Sequence, residues 1–202
     1  MRLILASASP ARLATLRAAG LSPQVIVSGV DETAIAADDP ADLVRRLAQA
    51  KAEAVFAGLT DPADTIVIGC DSVLDFDHRV EGKPGSAEAA RQLLRRTRGG
   101  SGTLLTGHHV IVADRSGVVG RASQVGRTTV HLADVSDAEI EAYVASGEPI
   151  NVAGGFTIDG LGGAFIAGIE GDPHNVVGLS LPLVRVMLSR LGVVWTDLWT
   201  HG

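Results

Sequence analysis

Three residues near the start of the chain, Ser7, Ser9 and Arg12 in "ASASPAR", follow an apolar run and precede what reads as a helix. A helix N-terminus offers unpaired backbone N–H groups and a partial positive charge, so two hydroxyls and a guanidinium gathered there form a phosphate cradle. The same residues also fit ordinary capping by Ser9, with Arg12 on the solvated face. Lys51 follows Leu43 and Leu47 and precedes Val55 at four-residue spacing, which places an ammonium on a face that otherwise reads as core. It either snorkels to the edge of the apolar stripe or points into a cleft where a phosphate supplies the opposite charge. Asp71 comes directly after the apolar run "TIVIGC". Ligand crevices of α/β sheets lie beyond strand carboxyl ends, so a carboxylate delivered there can hold a divalent cation or activate water; the plainer alternative is the start of a turn. Glu32 in "GVDET" closes a candidate strand and, with Asp71, would complete a hard-oxygen site for magnesium, although neighbouring acidic residues are commonly just solvated. Lys83 in "EGKP" is an ordinary surface residue by type, but Pro84 restricts the backbone that carries it.

Other reactive types carry weaker signals. Cys70 beside Asp71 invites a thiol nucleophile, yet a small residue inside an apolar run is the pattern of buried packing, and no local signature marks a reactive thiol. His108 and His109 are adjacent within an apolar run; neighbours on a strand face opposite ways, so they make a poor metal pair. Asp75 and Asp77 are explained by a hairpin tip. The segment "NVAGGFTIDGLGG" does not follow a strand and open a helix, as a dinucleotide fingerprint requires. Its glycines at 154, 155, 160, 162 and 163 are expected to admit close approach of a flat ligand or to serve tight turns.

These residues need elements to position them, and the pattern alternates strands with helices. "RLILA" reads as a buried strand leading into a helix with Ser9 as cap, Pro10 in the first turn and Gly20 as stop. A second helix is expected from Asp39-Pro40 to Gly58, and a strand over "TIVIGC" with Asp71 at its carboxyl end. A hairpin turning near Asp77-His78 precedes a helix from Ser86 to about Arg98, ended by Gly99-Gly100. Residues 103–114 and 123–134 read as a long antiparallel pair around Ser116-Gly117, and Ser136 with Glu139 forms a capping box for a helix reaching Ala145. A Gly-rich stretch leads to a C-terminal helix over 182–191. The expectation is one α/β domain spanning 1–202, without repeats or a low-complexity linker.

Composition narrows the function classes. With 202 residues, 46% hydrophobic and 20% charged, the chain can bury a sizeable core and is neither disordered nor fibrous. Lys and Arg number 17 against 23 Asp and Glu, a net charge of −6. No global basic field therefore exists for a nucleic-acid polymer or an acidic membrane surface, and any phosphate binding must be local. Aromatics at 3% give no base-stacking platform. No apolar run approaches the ~18 residues of a membrane span, the N-terminal stretch is too short for a signal peptide, and a lone cysteine fits a reducing compartment. A cytoplasmic location is expected.

Taken in order, "LASASPAR", "VDE", "AKA", "IGCDSVL", "GKP", "YVASGEPINVAGGF", "IDGLGG" and "GDPHNVVGLSLPL" resemble the Maf family of nucleoside triphosphate pyrophosphatases across nearly the whole chain. The resemblance implies an α/β fold with a mixed, curved β-sheet flanked by helices around a deep substrate cleft between two lobes, as in inosine triphosphatases, and often a homodimer. It implies hydrolysis of a nucleoside triphosphate at the α–β phosphoanhydride, with Mg2+ or Mn2+ as cofactor, to clear non-standard or selected nucleotides. Carried over position by position, Ser7, Ser9 and Arg12 match the phosphate loop, Glu32 and Asp71 the catalytic and metal-binding carboxylates, and Lys51 and Lys83 the family lysines. Lys83 joins the two carboxylates as catalytic, with Asp71 as proton acceptor; Lys51, Ser72 and Asp159 join the cradle as substrate-binding. This chain departs from the family pattern at Ala11-Arg12 for paired arginines, Asp71-Ser72 for Asp-Thr, "FTIDG" for "YGIQG", Val152 for lysine, and near Gly102, where a histidine is missing. With Asp159 in place of glutamine, a guanine-type edge becomes an open alternative to a pyrimidine. The family name is also tied to septum formation, so a nucleotide-binding regulator of cell division with weak or no catalysis is the alternative function.

Overall fold

Alternating apolar side chains dictate the strands, and local caps set the helix ends. The computed structural model describes residues 1–200. Its strands are β1 (Arg2–Leu5), β2 (Gln24–Val25), β3 (Thr65–Phe76), β4 (Arg79–Glu81), β5 (Ser101–Asp114), β6 (Gly117–Leu132) and β7 (Ile166–Glu170). Its helices are α1 (Pro10–Ala18), α2 (Pro40–Ala57), α3 (Ala87–Thr97), α4 (Asp137–Ala145), α5 (Pro173–Val177) and α6 (Leu181–Arg190). The strands form one sheet in the order β2-β1-β3-β5-β6-β7, with β4 paired to β3. The sheet is mixed: β1 runs parallel to β2 and β3, whereas β3–β4 and β6–β7 are antiparallel. Among the described residues no helix is long and apolar enough to cross a membrane.

The chain divides into two units, one of Met1–Asp71, Thr106–Gly126 and Gly178–Gly202, the other of Ser72–Leu105 and Arg127–Val177. In the first, the period-two alternation of the strands builds two cores. Leu3, Leu5, Ile66, Ile68, Cys70, Val110 and Val112 pack with Leu16 of α1 and with Val184, Met187 and Leu188 of α6. The intervening residues Ile4, Ala6, Val67 and Ile111 pack with Ala52 and Val55 of α2. Helices thus cover both faces of these strands.

In the second unit Leu74, Phe76, Leu104, Val130, Leu132 and Phe156 form one cluster. Helices α3 and α4 form another through Ala90, Leu94, Ile140, Tyr143 and Val144, with Tyr143 edge-on to Phe165 at 5.3 Å between ring centroids.

Most expected ends agree with the structure because their causes are local. Ser9 accepts from the Arg12 amide, Asp39 from the amides of Ala41 and Asp42, and Ser136 with Glu139 makes the full capping box. The hairpin turns at Asp77-His78, both with positive φ. Three expectations need correction. Strand β3 does not end at Asp71 but runs five residues further, because Leu74 and Phe76 find apolar partners in the second unit. Glu32 closes no strand; it opens a single 3-10 turn, Glu32–Ala34, capped by Asp31. The Gly-rich stretch contains three 3-10 turns (Glu148–Asn151, Ala153–Gly155, Leu161–Phe165) as well as β7 and α5.

Candidate active site

Close backbone approach sets the position of α2. An added Cβ at Gly69 on β3 would lie 2.3 Å from the Ala48 carbonyl oxygen, and one at Gly107 on β5 would lie 2.1 Å from that of Val44. Only glycine lets the helix backbone rest on the strands there. By alternation Val67, Gly69 and Asp71 share the face of β3 that α2 covers. Lys51, between Ala48 and Ala52, is therefore carried to Asp71. Its Nζ donates to Asp71 Oδ1 at 2.5 Å and lies 2.8 Å from Glu32 Oε1. The Lys51 and Asp71 side chains are 10% and 12% exposed, while Glu32 is 55% exposed, so one cation joins a buried carboxylate to one reachable from solvent. The partner that Lys51 requires on an apolar face is thus a carboxylate pair within its own unit.

The cradle is assembled beside them. The Ser7 Oγ accepts from the Ser9 amide at 3.2 Å and from Arg12 Nη1 at 3.0 Å. Arg12 Nη1 also donates to the Cys70 carbonyl at 3.0 Å, and its Nε to the Gly178 carbonyl at 2.7 Å. Arg12 does not project into solvent as a helix-face residue would; its fork is held against the strand that carries Asp71. Ser9 is the helix cap and sits at the positive end of α1. Asp31 shapes the turn that presents Glu32: it accepts from the Thr33 hydroxyl at 2.7 Å and the Thr33 amide at 3.0 Å, bonds that lower its pKa.

Five of the residues named from sequence, Ser7, Arg12, Glu32, Lys51 and Asp71, form this bonded set, with Ser9 as the cap. The other three belong to the second unit. Ser72 is half-buried on β3, Lys83 is exposed between β4 and α3, and Asp159 is exposed in the loop before the third 3-10 turn. Cys70 is fully buried, and burial pushes its thiol up to about 11, which removes it as a nucleophile at neutral pH. His108 and His109 face opposite ways as expected: His108 Nε2 accepts from the Ser180 amide at 2.8 Å, and His109 Nδ1 lies 2.6 Å from Ser123 Oγ.

One polar centre escaped sequence reasoning. Glu148 accepts from the hydroxyls of Tyr143 at 2.9 Å and Thr157 at 2.6 Å, and from the amides of Leu161 at 3.0 Å and Gly162 at 2.9 Å. Burial would raise its pKa, but the bonds from Thr157, Gly162, Leu161 and Tyr143 outweigh that and hold it below the ordinary value. Burial, with Glu148 as neighbour, pushes the Tyr143 hydroxyl up. A Cβ at Gly162 would lie 2.3 Å from the Tyr143 hydroxyl, so this glycine serves close packing within its own unit. The only signal in the sequence is a carboxylate close to many backbone amides, which does not single out Glu148.

A family model described as "Maf-like protein" matches residues 2–191. A nucleoside triphosphate pyrophosphatase of Cutibacterium acnes is 54% identical over 200 residues, covering 97% of this chain and 93% of its own length. One of Salinispora tropica is 53% identical, covering 100% and 89%, and one of Mycobacterium ulcerans is 51% identical, covering 100% and 98%. The solved Ham1 protein of Staphylococcus aureus aligns with 94% of this chain and 99% of its own at 14% identity and a TM-score of 0.46, too distant to carry any residue across.

Proposed function

This chain belongs to the Maf-like protein family, and on that premise we propose that it hydrolyses a nucleoside triphosphate at the α–β phosphoanhydride to the monophosphate and pyrophosphate. Relatives about half identical over nearly the full length bear the name nucleoside triphosphate pyrophosphatase. The structural observation that carries the chemistry is the bond from Arg12 Nη1 to the carbonyl of Cys70, the residue immediately before Asp71. It ties the phosphate-binding end of α1 to the peptide bearing the carboxylate that would act on a phosphate held there.

In this reading Ser7, Ser9, Arg12 and the N-terminus of α1 hold the phosphates, with Lys51 close by. Lys51 orients Asp71 through Oδ1, which leaves the other oxygen of that carboxylate to take a proton from water. The water oxygen bonds to the α-phosphorus, and the bond to the bridging oxygen breaks. Pyrophosphate then leaves with that oxygen and its electron pair. From the family resemblance alone we propose Lys83 as a further catalytic residue and Ser72 and Asp159 as substrate-binding residues, with Asp159 able to accept from a guanine-type edge.

The residues fit a divalent cation. Two hard carboxylates, Glu32 and Asp71, converge on one point that already holds a positive charge. No group of three or more His, Cys, Asp or Glu suited to a metal exists among the described residues. The carboxylate pair is what suits Mg2+ or Mn2+, which bind through one or two carboxylates and complete their shell with water and phosphate oxygens. When bound, the ion would neutralise triphosphate charge and polarise the water. The lone buried Cys70 supports a cytoplasmic setting, and a homodimer is proposed from the family resemblance alone.

A phosphate-release screen of natural and modified nucleoside triphosphates, with and without added inorganic pyrophosphatase, tests the reaction. Signal only with the coupling enzyme is expected. Orthophosphate in its absence would assign the cleavage to another bond.

A further inference from the structure

Among its described residues the first unit holds two buried histidines that the reaction above does not use, His108 and His109, and the first of them bonds to the segment that holds Arg12. His108 is fully buried on β5, and its Nε2 accepts the backbone N–H of Ser180 at 2.8 Å. Ser180 is the N-cap of α6, its hydroxyl accepting from the Leu183 amide at 3.2 Å. Two residues earlier, the Gly178 carbonyl accepts from Arg12 Nε at 2.7 Å. Between them Leu179 is fully buried in the core with Leu5 and Leu16. The three-residue segment 178–180 is therefore gripped at one end by the imidazole, in its middle by the core, and at the other end by the guanidinium of the cradle. An acceptor at Nε2 assigns the ring as neutral, with its proton on Nδ1.

We propose that His108 is a positioning residue for the phosphate cradle, fixing through Ser180 and Gly178 the orientation in which Arg12 meets the nucleotide. This rests on the reading of Arg12 as a phosphate ligand. A guanidinium fork is useful to a phosphate only in one orientation, and Nε is the atom that sets the plane of the fork. Gly178 holds that atom while Ser7 and Cys70 hold Nη1. Freeing the segment at Ser180 would leave Arg12 in place but allow its plane to turn, which should weaken substrate capture.

The test is a double-mutant cycle on Arg12→Ala and His108→Leu, read as KM and kcat for whichever of GTP, UTP or dTTP the wild-type enzyme cleaves fastest. Arg12→Ala is expected to raise KM about 10- to 100-fold, and His108→Leu about tenfold with a smaller change in kcat. The double variant should be no worse than Arg12→Ala alone, because the histidine acts through the arginine. His108→Gln, whose amide oxygen can reach the position of Nε2, should recover most of the loss, whereas the shorter His108→Asn should not. These two variants carry the test if His108→Leu fails to fold. Met187→Ala, in the same buried core, controls for stability: a lower Tm with unchanged KM is expected. Multiplicative effects in the cycle, or equal losses in the Gln and Asn variants, would overturn the role of His108. An unchanged KM in Arg12→Ala would instead overturn the reading of Arg12 on which it rests.

Discussion

Lys51 Nζ and Asp71 Oδ1 meet at 2.5 Å although α2 carries one and β3 the other, and both side chains are close to nine-tenths buried. In the proposed reaction the pairing orients the carboxylate and leaves it one oxygen for water. Replacing Asp71 by Asn keeps the shape but removes the proposed proton acceptor. Turnover is expected to fall by about 10²–10⁴-fold, measured as pyrophosphate release, while circular dichroism stays that of the native protein. A folded Asp71→Asn variant with near-native turnover would take the role of base away from this residue.

Lys51→Met removes the cation and leaves Glu32 and Asp71 facing a common point without one. Breaking a buried pair costs about 3–5 kcal/mol, but Glu32 is more than half exposed and solvent screens its share. A loss of about 2–3 kcal/mol is therefore expected from urea unfolding at pH 7. Lys51→Ala, which removes the stem as well, should lose little more. Near-native stability in Lys51→Met beside a large loss in Lys51→Ala would show that packing of the lysine stem, rather than its charge, holds the pair together.

What the sequence made legible follows the range of each interaction. Caps are local, so Ser9-Pro10, Asp39-Pro40 and Ser136 with Glu139 mark the starts of α1, α2 and α4 without reference to the rest of the chain. Asp71 was nameable from its type and its place after an apolar run. Its position in mid-strand was not, because an Asp-Ser pair reads as a stop until Leu74 and Phe76 are seen to pack with Leu104, Val130 and Phe156. Lys51 announced that it needed a partner, but Asp71 and Glu32 lie about 20 residues away on either side, and no spacing rule links them. The glycines of the Gly-rich stretch marked tight turns, and turns are found there, but the side chain that orders the last of them was not legible for the same reason: the Leu161 and Gly162 amides bond to Glu148, more than ten residues away.

The glycines under α2 should be intolerant of a single methyl group. At Gly107 the added carbon would stand 2.1 Å from a backbone oxygen, and backbone cannot rotate away as a side chain can. Gly107→Ala and Gly69→Ala are each expected to cost about 1–3 kcal/mol, the usual range for overpacking, read from chemical denaturation. Both should also lower turnover in protein that remains folded, since a lifted α2 carries Lys51 away from Asp71. Stability loss with native turnover would mean that the Lys51–Asp71 pair adjusts independently of the helix.

Glu148 sets an acid limit on its own segment. Its folded pKa lies below the ordinary 4.5, so the charged form is the one that the bonds from Thr157, Gly162, Leu161 and Tyr143 favour. The unfolded chain binds the proton more readily than the folded one, and the carboxylate therefore adds stability that is present above pH 4.5 and fades as the pH falls through the lower folded value. Two of the four donors are the amides of Leu161 and Gly162, in the turn that follows Asp159. The protection factors of those two amides, which correct for the slower intrinsic exchange in acid, should fall as the pH drops below 4.5 in the wild-type protein. In Glu148→Gln the lowered protection should already be present at pH 7, because a neutral amide is a weaker acceptor and brings donors of its own to a site where Glu148 meets four donors. Protection that is high and unchanged with pH in both proteins would show that the turn is held by packing around Tyr143 and Phe165 and not by the carboxylate.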